Sequence, residues 1–92
     1  MIFKKKFYDC SVCGFDGLRG PLYRNGLPDY SLICTCCAFQ PGYDDLDQGY
    51  TFETYRAEWL ANGAEWFMKK EQPKHWDVKV QLKNIGIKLK NK

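Results

Sequence analysis

Five cysteines, Cys10, Cys13, Cys34, Cys36 and Cys37, fall in the first 37 of 92 residues. An odd, clustered set of this kind is no disulfide framework, since a reducing compartment keeps thiols free. The spacing points to metal. Cys10-Ser-Val-Cys13 and Cys34-Thr-Cys36-Cys37 are two Cys-x-x-Cys units with 20 residues between them, the tetrathiolate zinc pattern. The units also resemble each other, because Cys10-Ser-Val-Cys13-Gly14-Phe15 aligns with Cys34-Thr-Cys36-Cys37-Ala38-Phe39. A tight turn can aim two sulfurs at one ion while amides inside it point toward them. A glycine or alanine after the second thiol leaves room for that turn, and Gly14 can take a positive φ. The match selects Cys10, Cys13, Cys34 and Cys37 as ligands meeting one cation tetrahedrally, with Zn–S near about 2.3 Å. Cys36 stands where Val12 stands in the first unit and becomes the spare, read as an inert thiol, with a reactive thiol beside the metal or an alternative ligand as the lesser readings.

Other donor sets fit less well. Cys36 in place of Cys37 would give a Cys-x-Cys unit and lose the match with the first turn. His75, the one histidine, lies 38 residues beyond Cys37 in a lysine-rich stretch and reads as an exposed or edge histidine. All-sulfur tetrahedral sites suit zinc or iron. The Cys10–Phe15 turn is similar to the first turn of rubredoxins, and Tyr8, Phe15 and Tyr30 would suit an aromatic ring around iron. Rubredoxins, however, are small acidic electron carriers. This chain is basic, has a shorter interval between its turns and runs 55 residues past its last cysteine. Structural zinc is the expectation, with iron the alternative.

The elements that must position these thiols read as a small α+β domain spanning 1–92. Residues 8–40 form a zinc-ribbon or knuckle half, with short β segments at Phe7-Tyr8 and Tyr30–Ile33 leading into the two turns. Gly17, Gly20-Pro21, Asn25-Gly26 and Pro28-Asp29 punctuate the stretch between as successive turns, with Arg19 and Arg24 facing solvent. Residues 40–49 read as an acidic surface loop. Asp45-x-Asp47-x-Gly49 partly resembles a calcium loop, but its twelfth position is Arg56 instead of glutamate.

Within 51–69, Thr51 is a plausible N-cap with Glu53 in the first turn. Phe52, Tyr55, Trp59, Gly63 and Trp66 recur at helical spacing. One amphipathic helix from about 52 to 62 is expected, with a further turn or two through Phe67 and Asn62-Gly63 as its C-cap or a close-packing point. Its aromatic stripe is read as core packing over the metal turns rather than a platform for bases. In the basic segment 74–92, Asp77 caps a short helix from about 78 to 85 and Gly86 ends it. The alternation Val78, Val80, Leu82 fits a strand equally well. The tail from Ile87 to Lys92 reads as loosely held.

Composition limits the function. The chain is 45% apolar and 27% charged, which excludes wholesale disorder, and no apolar run approaches membrane-helix length. Three lysines at Lys4–Lys6 are followed by no apolar stretch, so no secretory signal is read and a cytoplasmic address is expected. The net charge is +3, with basic ends around an acidic middle, so a basic footprint for nucleic acid needs the two ends to meet. Four thiolates with a divalent ion would lower the net charge by two. No nucleophile–base pair or phosphate loop is visible, and four protein thiolates leave no open coordination position, so no enzyme is expected. Glu53, Glu58 and Glu65 read as the wet helix face.

The run Ile33–Phe39, the pair Asp44-Asp45, Tyr55-Arg56 and Gly63-Ala64-Glu65-Trp66 together resemble the bacterial cysteine-rich CPCC family over roughly residues 8–67. The first turn lacks that family's extra thiol, and Thr35 stands where proline is usual. The resemblance implies a small zinc-binding protein of unassigned activity and carries no catalytic residues. The expected function is a zinc-stapled module that binds a protein partner. Iron-based electron transfer and nucleic-acid binding through the lysine ends are the alternatives.

Overall fold

In the computed structural model residues 7–89 are described. The chain enters through Tyr8, which exchanges both backbone hydrogen bonds with Leu18 (2.9 and 3.1 Å), so the first thiol turn is the tip of a loop closed by this bridge. A hairpin follows: β1 (Tyr23–Arg24) pairs antiparallel with β2 (Leu27–Pro28) across Asn25-Gly26. Both turn residues have positive φ, +55° and +79°, as a two-residue hairpin with right-twisted strands requires.

The second β segment expected before the cysteines does not form. At Tyr30–Ile33 the Asp29 carboxylate accepts the N–H and hydroxyl of Ser31 (3.0 and 2.6 Å), and the Leu32 N–H reaches Asp29 O. This side-chain-stabilised turn competes successfully with a strand. The hairpin lies instead between the two thiol turns.

The acidic loop is more structured than expected. Tyr43–Asp47 form one π-helical turn. Asp44 accepts the Gln40 N–H at 2.7 Å, and Asp45 accepts the Gly42 N–H at 2.7 Å and the Tyr23 hydroxyl at 2.6 Å. These acids brace backbone and the hairpin. Burial opposes ionisation of Asp45, but the hydrogen bonds outweigh it and hold its carboxyl below the usual range. The same bond pushes the Tyr23 hydroxyl up to about 12.

Helix α1 (Phe52–Ala61) starts at Thr51, whose hydroxyl accepts the Thr54 N–H at 3.0 Å, while the Thr54 hydroxyl accepts the Thr51 N–H at 2.9 Å. It does not continue toward Phe67. Gly63 and Ala64 both take positive φ, +97° and +51°, and the Ala64 N–H closes onto Trp59 O. Residues 62–68 are an irregular crossing segment, followed by a single 3₁₀ turn at Lys69–Glu71.

Helix α2 (Val78–Leu82) is capped by the Asp77 carboxylate, which accepts the Lys79 N–H at 2.9 Å, and it runs on as a 3₁₀ turn to Ile85. Gly86, at φ +75°, ends it. Val80 is 60% exposed while Leu82 is fully buried, so burial follows a helical face and not the strand alternation.

The core is the thiol cluster with Val12, Leu18, Leu22, Phe39, Trp59, Ala64 and Trp66. Phe39 meets Phe52 and Tyr55 edge-on at 5.4 and 5.0 Å, so α1 covers the second turn as expected. Phe15 meets Trp66 at 5.7 Å, and Trp66 meets Trp76 at 5.5 Å. No helix among the described residues is long and apolar enough to cross a membrane. The basic tip Lys4–Lys6 and the last residues of the lysine tail lie outside the described residues.

Candidate metal centre

The two Cys-x-x-Cys units fold into near-copies of one turn. In the first, the Cys10 N–H donates to Phe15 O (2.7 Å) and the Gly14 N–H to Cys10 O (2.8 Å). In the second, the Cys34 N–H donates to Phe39 O (3.0 Å) and the Ala38 N–H to Cys34 O (2.9 Å). The small residue takes a positive φ in both, +85° at Gly14 and +71° at Ala38. The Cys36 N–H points at the Cys34 sulfur at 3.4 Å, the inward amide that such a turn supplies.

Facing each other, the turns bring the sulfurs of Cys10, Cys13, Cys34 and Cys37 within 4.8 Å of one another. Two cross-turn edges, Cys10–Cys37 and Cys13–Cys34, measure 3.9 and 3.7 Å. A tetrahedron of sulfurs at about 2.3 Å from its centre has edges of about 3.8 Å. The donor set and its spacing therefore fit a single tetrahedral metal ion.

All four residues are at most 4% exposed. Hydrogen bonding among the crowded sulfurs, with Cys10 the foremost partner, holds the Cys34 thiol well below its ordinary range and pushes Cys13 above it. Burial foremost pushes Cys37 up. Four buried thiols this close can all ionise only around a cation.

Cys36 is outside this group of four, as the pseudo-repeat predicts. It is fully buried, and its sulfur lies 3.5 Å from the Gln81 amide nitrogen. His75 is also outside the group and exposed. Glu53, Glu58 and Glu65 are exposed as expected, and so are Arg19 and Arg24.

The turns are held by residues distant in sequence. Arg56 reaches back from α1 and donates Nε–H to Val12 O (2.7 Å) and Nη2–H to Ser11 O (3.0 Å). Gln81 donates to Cys13 O and Asn84 to Gly14 O, each at 2.9 Å. On the second turn, the Tyr55 hydroxyl donates to Cys37 O at 3.0 Å. The backbone N–H groups of Phe67 and Met68 donate to Cys36 O and Thr35 O at 2.8 and 3.0 Å. Buried carbonyls at a turn need such partners. Their donors lie up to 70 residues away in sequence, with no local signal to mark them.

Two Bacillus subtilis proteins are similar to this chain. YoaQ, an uncharacterised protein, is 34% identical over 73 aligned positions, covering 64% of this chain and 62% of its own length, less than two thirds. YozI, also uncharacterised, is 32% identical over 94 positions, covering 86% of this chain and 73% of YozI. The chain belongs to the YozI family. No family model matches the sequence, and no solved structure matches it either. For this YozI-family chain, chemistry must therefore be read from its own residues, and the four-thiol cluster is the clearest chemical feature among those described.

Proposed function

We propose that this protein is a non-enzymatic zinc protein of the cytoplasm, in which two zinc-ribbon knuckles hold one structural ion and the surrounding surface binds a protein partner. We further place it with the bacterial cysteine-rich CPCC proteins, whose pattern it resembles. Four buried sulfurs within 4.8 Å of one another carry the reading. Cys10, Cys13, Cys34 and Cys37 would hold the ion, which supplies cross-linking and charge neutralisation when bound. With four protein thiolates the coordination sphere is closed to water and substrate, which supports a structural role over a catalytic one. Small domains commonly need such a staple, because apolar burial at this size barely offsets chain entropy.

Elemental analysis with native mass spectrometry tests the proposal. One zinc per chain is expected, together with loss of near-ultraviolet circular dichroism on treatment with a strong chelator. Iron at stoichiometric level with thiolate-to-iron visible absorption would replace zinc with the electron-carrier reading. A chain that keeps its spectrum without metal would overturn the structural role. Affinity capture from the source organism tests the partner, and failure to recover a specific protein would remove the interaction reading.

A further inference from the structure

Beside α1 lies a pocket of about 420 Å³ that the metal does not account for. Tyr50, Tyr55 and Trp59 line it together with Asp44, Glu58 and Glu65. The one other lining residue, Asn62, is neutral, so the pocket carries three carboxylates and no cation on a chain whose net charge is +3.

Each aromatic group is pinned by its polar end. The Tyr55 hydroxyl donates to Cys37 O (3.0 Å), the Trp59 indole N–H to Glu65 O (2.9 Å), and the Tyr50 hydroxyl to Glu58 Oε1 (2.8 Å). Tyr50 and Tyr55 stand nearly perpendicular, with ring centroids 5.1 Å apart, and Trp59 follows Tyr55 by one helical turn. The carboxylates are only partly engaged. Asp44 uses Oδ2 for the Gln40 N–H and Glu58 uses Oε1 for Tyr50. Glu65 pairs with Lys69 at 3.0 Å, but both side chains are more than two-thirds exposed and such a pair exchanges readily with water.

The geometry points to a binding site for an organic cation, an alkylammonium or guanidinium group seated against the aromatic side chains and neutralised by Asp44, Glu58 and Glu65. Aromatic faces attract such cations through their quadrupoles, and fixed rings avoid an ordering cost on binding. A hard divalent metal ion would need oxygen ligands converging on one point, and among the described residues the four thiols form such a converging group whereas these three carboxylates do not. A neutral ligand would leave the carboxylates without compensation. The site goes beyond the proposed zinc module and requires no particular metal. Its cation comes either from a free amine or from a lysine or arginine side chain of a polypeptide.

The test is an NMR titration of the metal-loaded protein with choline, N-acetyl-arginine amide and 3,3-dimethylbutanol, the neutral isostere of choline. Both cations are expected to shift the Trp59 indole and the Tyr50 and Tyr55 ring signals to saturation, and the isostere to bind at least about tenfold more weakly, roughly 1.4 kcal/mol. Glu58→Gln should weaken choline by about two- to fivefold, while Lys69→Ala should strengthen it by about twofold. Tyr50→Leu, on the exposed side of the pocket, provides a second loss-of-binding variant. A short peptide with a central arginine that binds more tightly than the amino-acid amide assigns the cation to a polypeptide; equal binding assigns it to a free amine. Equal binding of choline and its isostere, or no shift of the Trp59 indole with any cation in a well-dispersed spectrum, overturns the site.

Discussion

The two thiol turns share a backbone and differ in what covers them. The first has its outward carbonyls satisfied by long side chains: Arg56 on Ser11 and Val12, Gln81 on Cys13, Asn84 on Gly14. The second is held largely by main chain, through the Phe67 and Met68 amides, with Tyr55 adding one hydroxyl. The covering also decides which small residue each turn can use. A Cβ on Gly14 would stand 2.3 Å from Gln81 O, because the backbone of α2 lies directly on that turn. Ala38 occupies the matching position of the second turn with its Cβ in place. Identical local geometry thus tolerates different residues, and the neighbouring element sets the limit.

Removing a ligand from either turn should erase this difference. Cys10→Ser and Cys37→Ser are both expected to lose the metal and with it the fold, since structural zinc supplies roughly 10–16 kcal/mol of apparent binding free energy. Metal content and tryptophan fluorescence would report the loss. A variant of one turn that keeps metal and fold while the other loses both would show that the turns are not equivalent as ligands. Falling pH should act in the same direction, because protonation of the thiolates competes with the ion.

The next largest effect should separate the turns. Gly14→Ala meets both a positive φ and the α2 backbone, and a loss of roughly 3 kcal/mol or more is expected in a urea titration of the metal-loaded protein. A loss below about 1 kcal/mol would mean that α2 yields easily and does not fix the first turn.

Trimming the tethers should give smaller, graded effects. Arg56→Ala removes two donors from the first turn and is expected to cost about 2 kcal/mol, and Tyr55→Phe removes one from the second at about 1 kcal/mol. Arg56→Lys should recover only part of the loss, since a single ammonium cannot reproduce the guanidinium fork. Equal losses for Arg56→Ala and Tyr55→Phe would remove the distinction between side-chain and main-chain tethering.

These tethers also mark the boundary of what a one-dimensional reading could see. Thiol spacing, the repeated Gly14/Ala38 and Phe15/Phe39 positions, the Thr51 and Asp77 caps and the stop at Gly86 are all signals within a few residues, and each corresponds to an observed feature. Arg56, Gln81 and Asn84 carry no comparable signal, because their partners lie 44, 68 and 70 residues away. The break after Ala61 was half visible, through Gly63, but nothing marks Ala64 for a positive φ. The hairpin was visible only as the turn Asn25-Gly26, since strands of two residues leave no alternation to detect. At Tyr30–Ile33, aromatic and β-branched residues favoured a strand, whereas the preceding Asp29 captured the local hydrogen bonds.

The smallest effect is also the most discriminating. At φ +71° Ala38 sits where alanine is disfavoured by roughly 1–2 kcal/mol. Ala38→Gly relieves that cost but gives the unfolded chain more freedom, worth about 0.5–1 kcal/mol in the opposite direction. The net expectation is a gain of up to about 1.5 kcal/mol, read as a higher urea midpoint at unchanged slope. Because the same small residues exchanged in the opposite direction at Gly14 should cost several times more, the pair isolates the contribution of α2 from that of backbone strain. A clear loss of stability in Ala38→Gly would show that the alanine methyl is held by packing, and that the second turn, like the first, is selected by its neighbours.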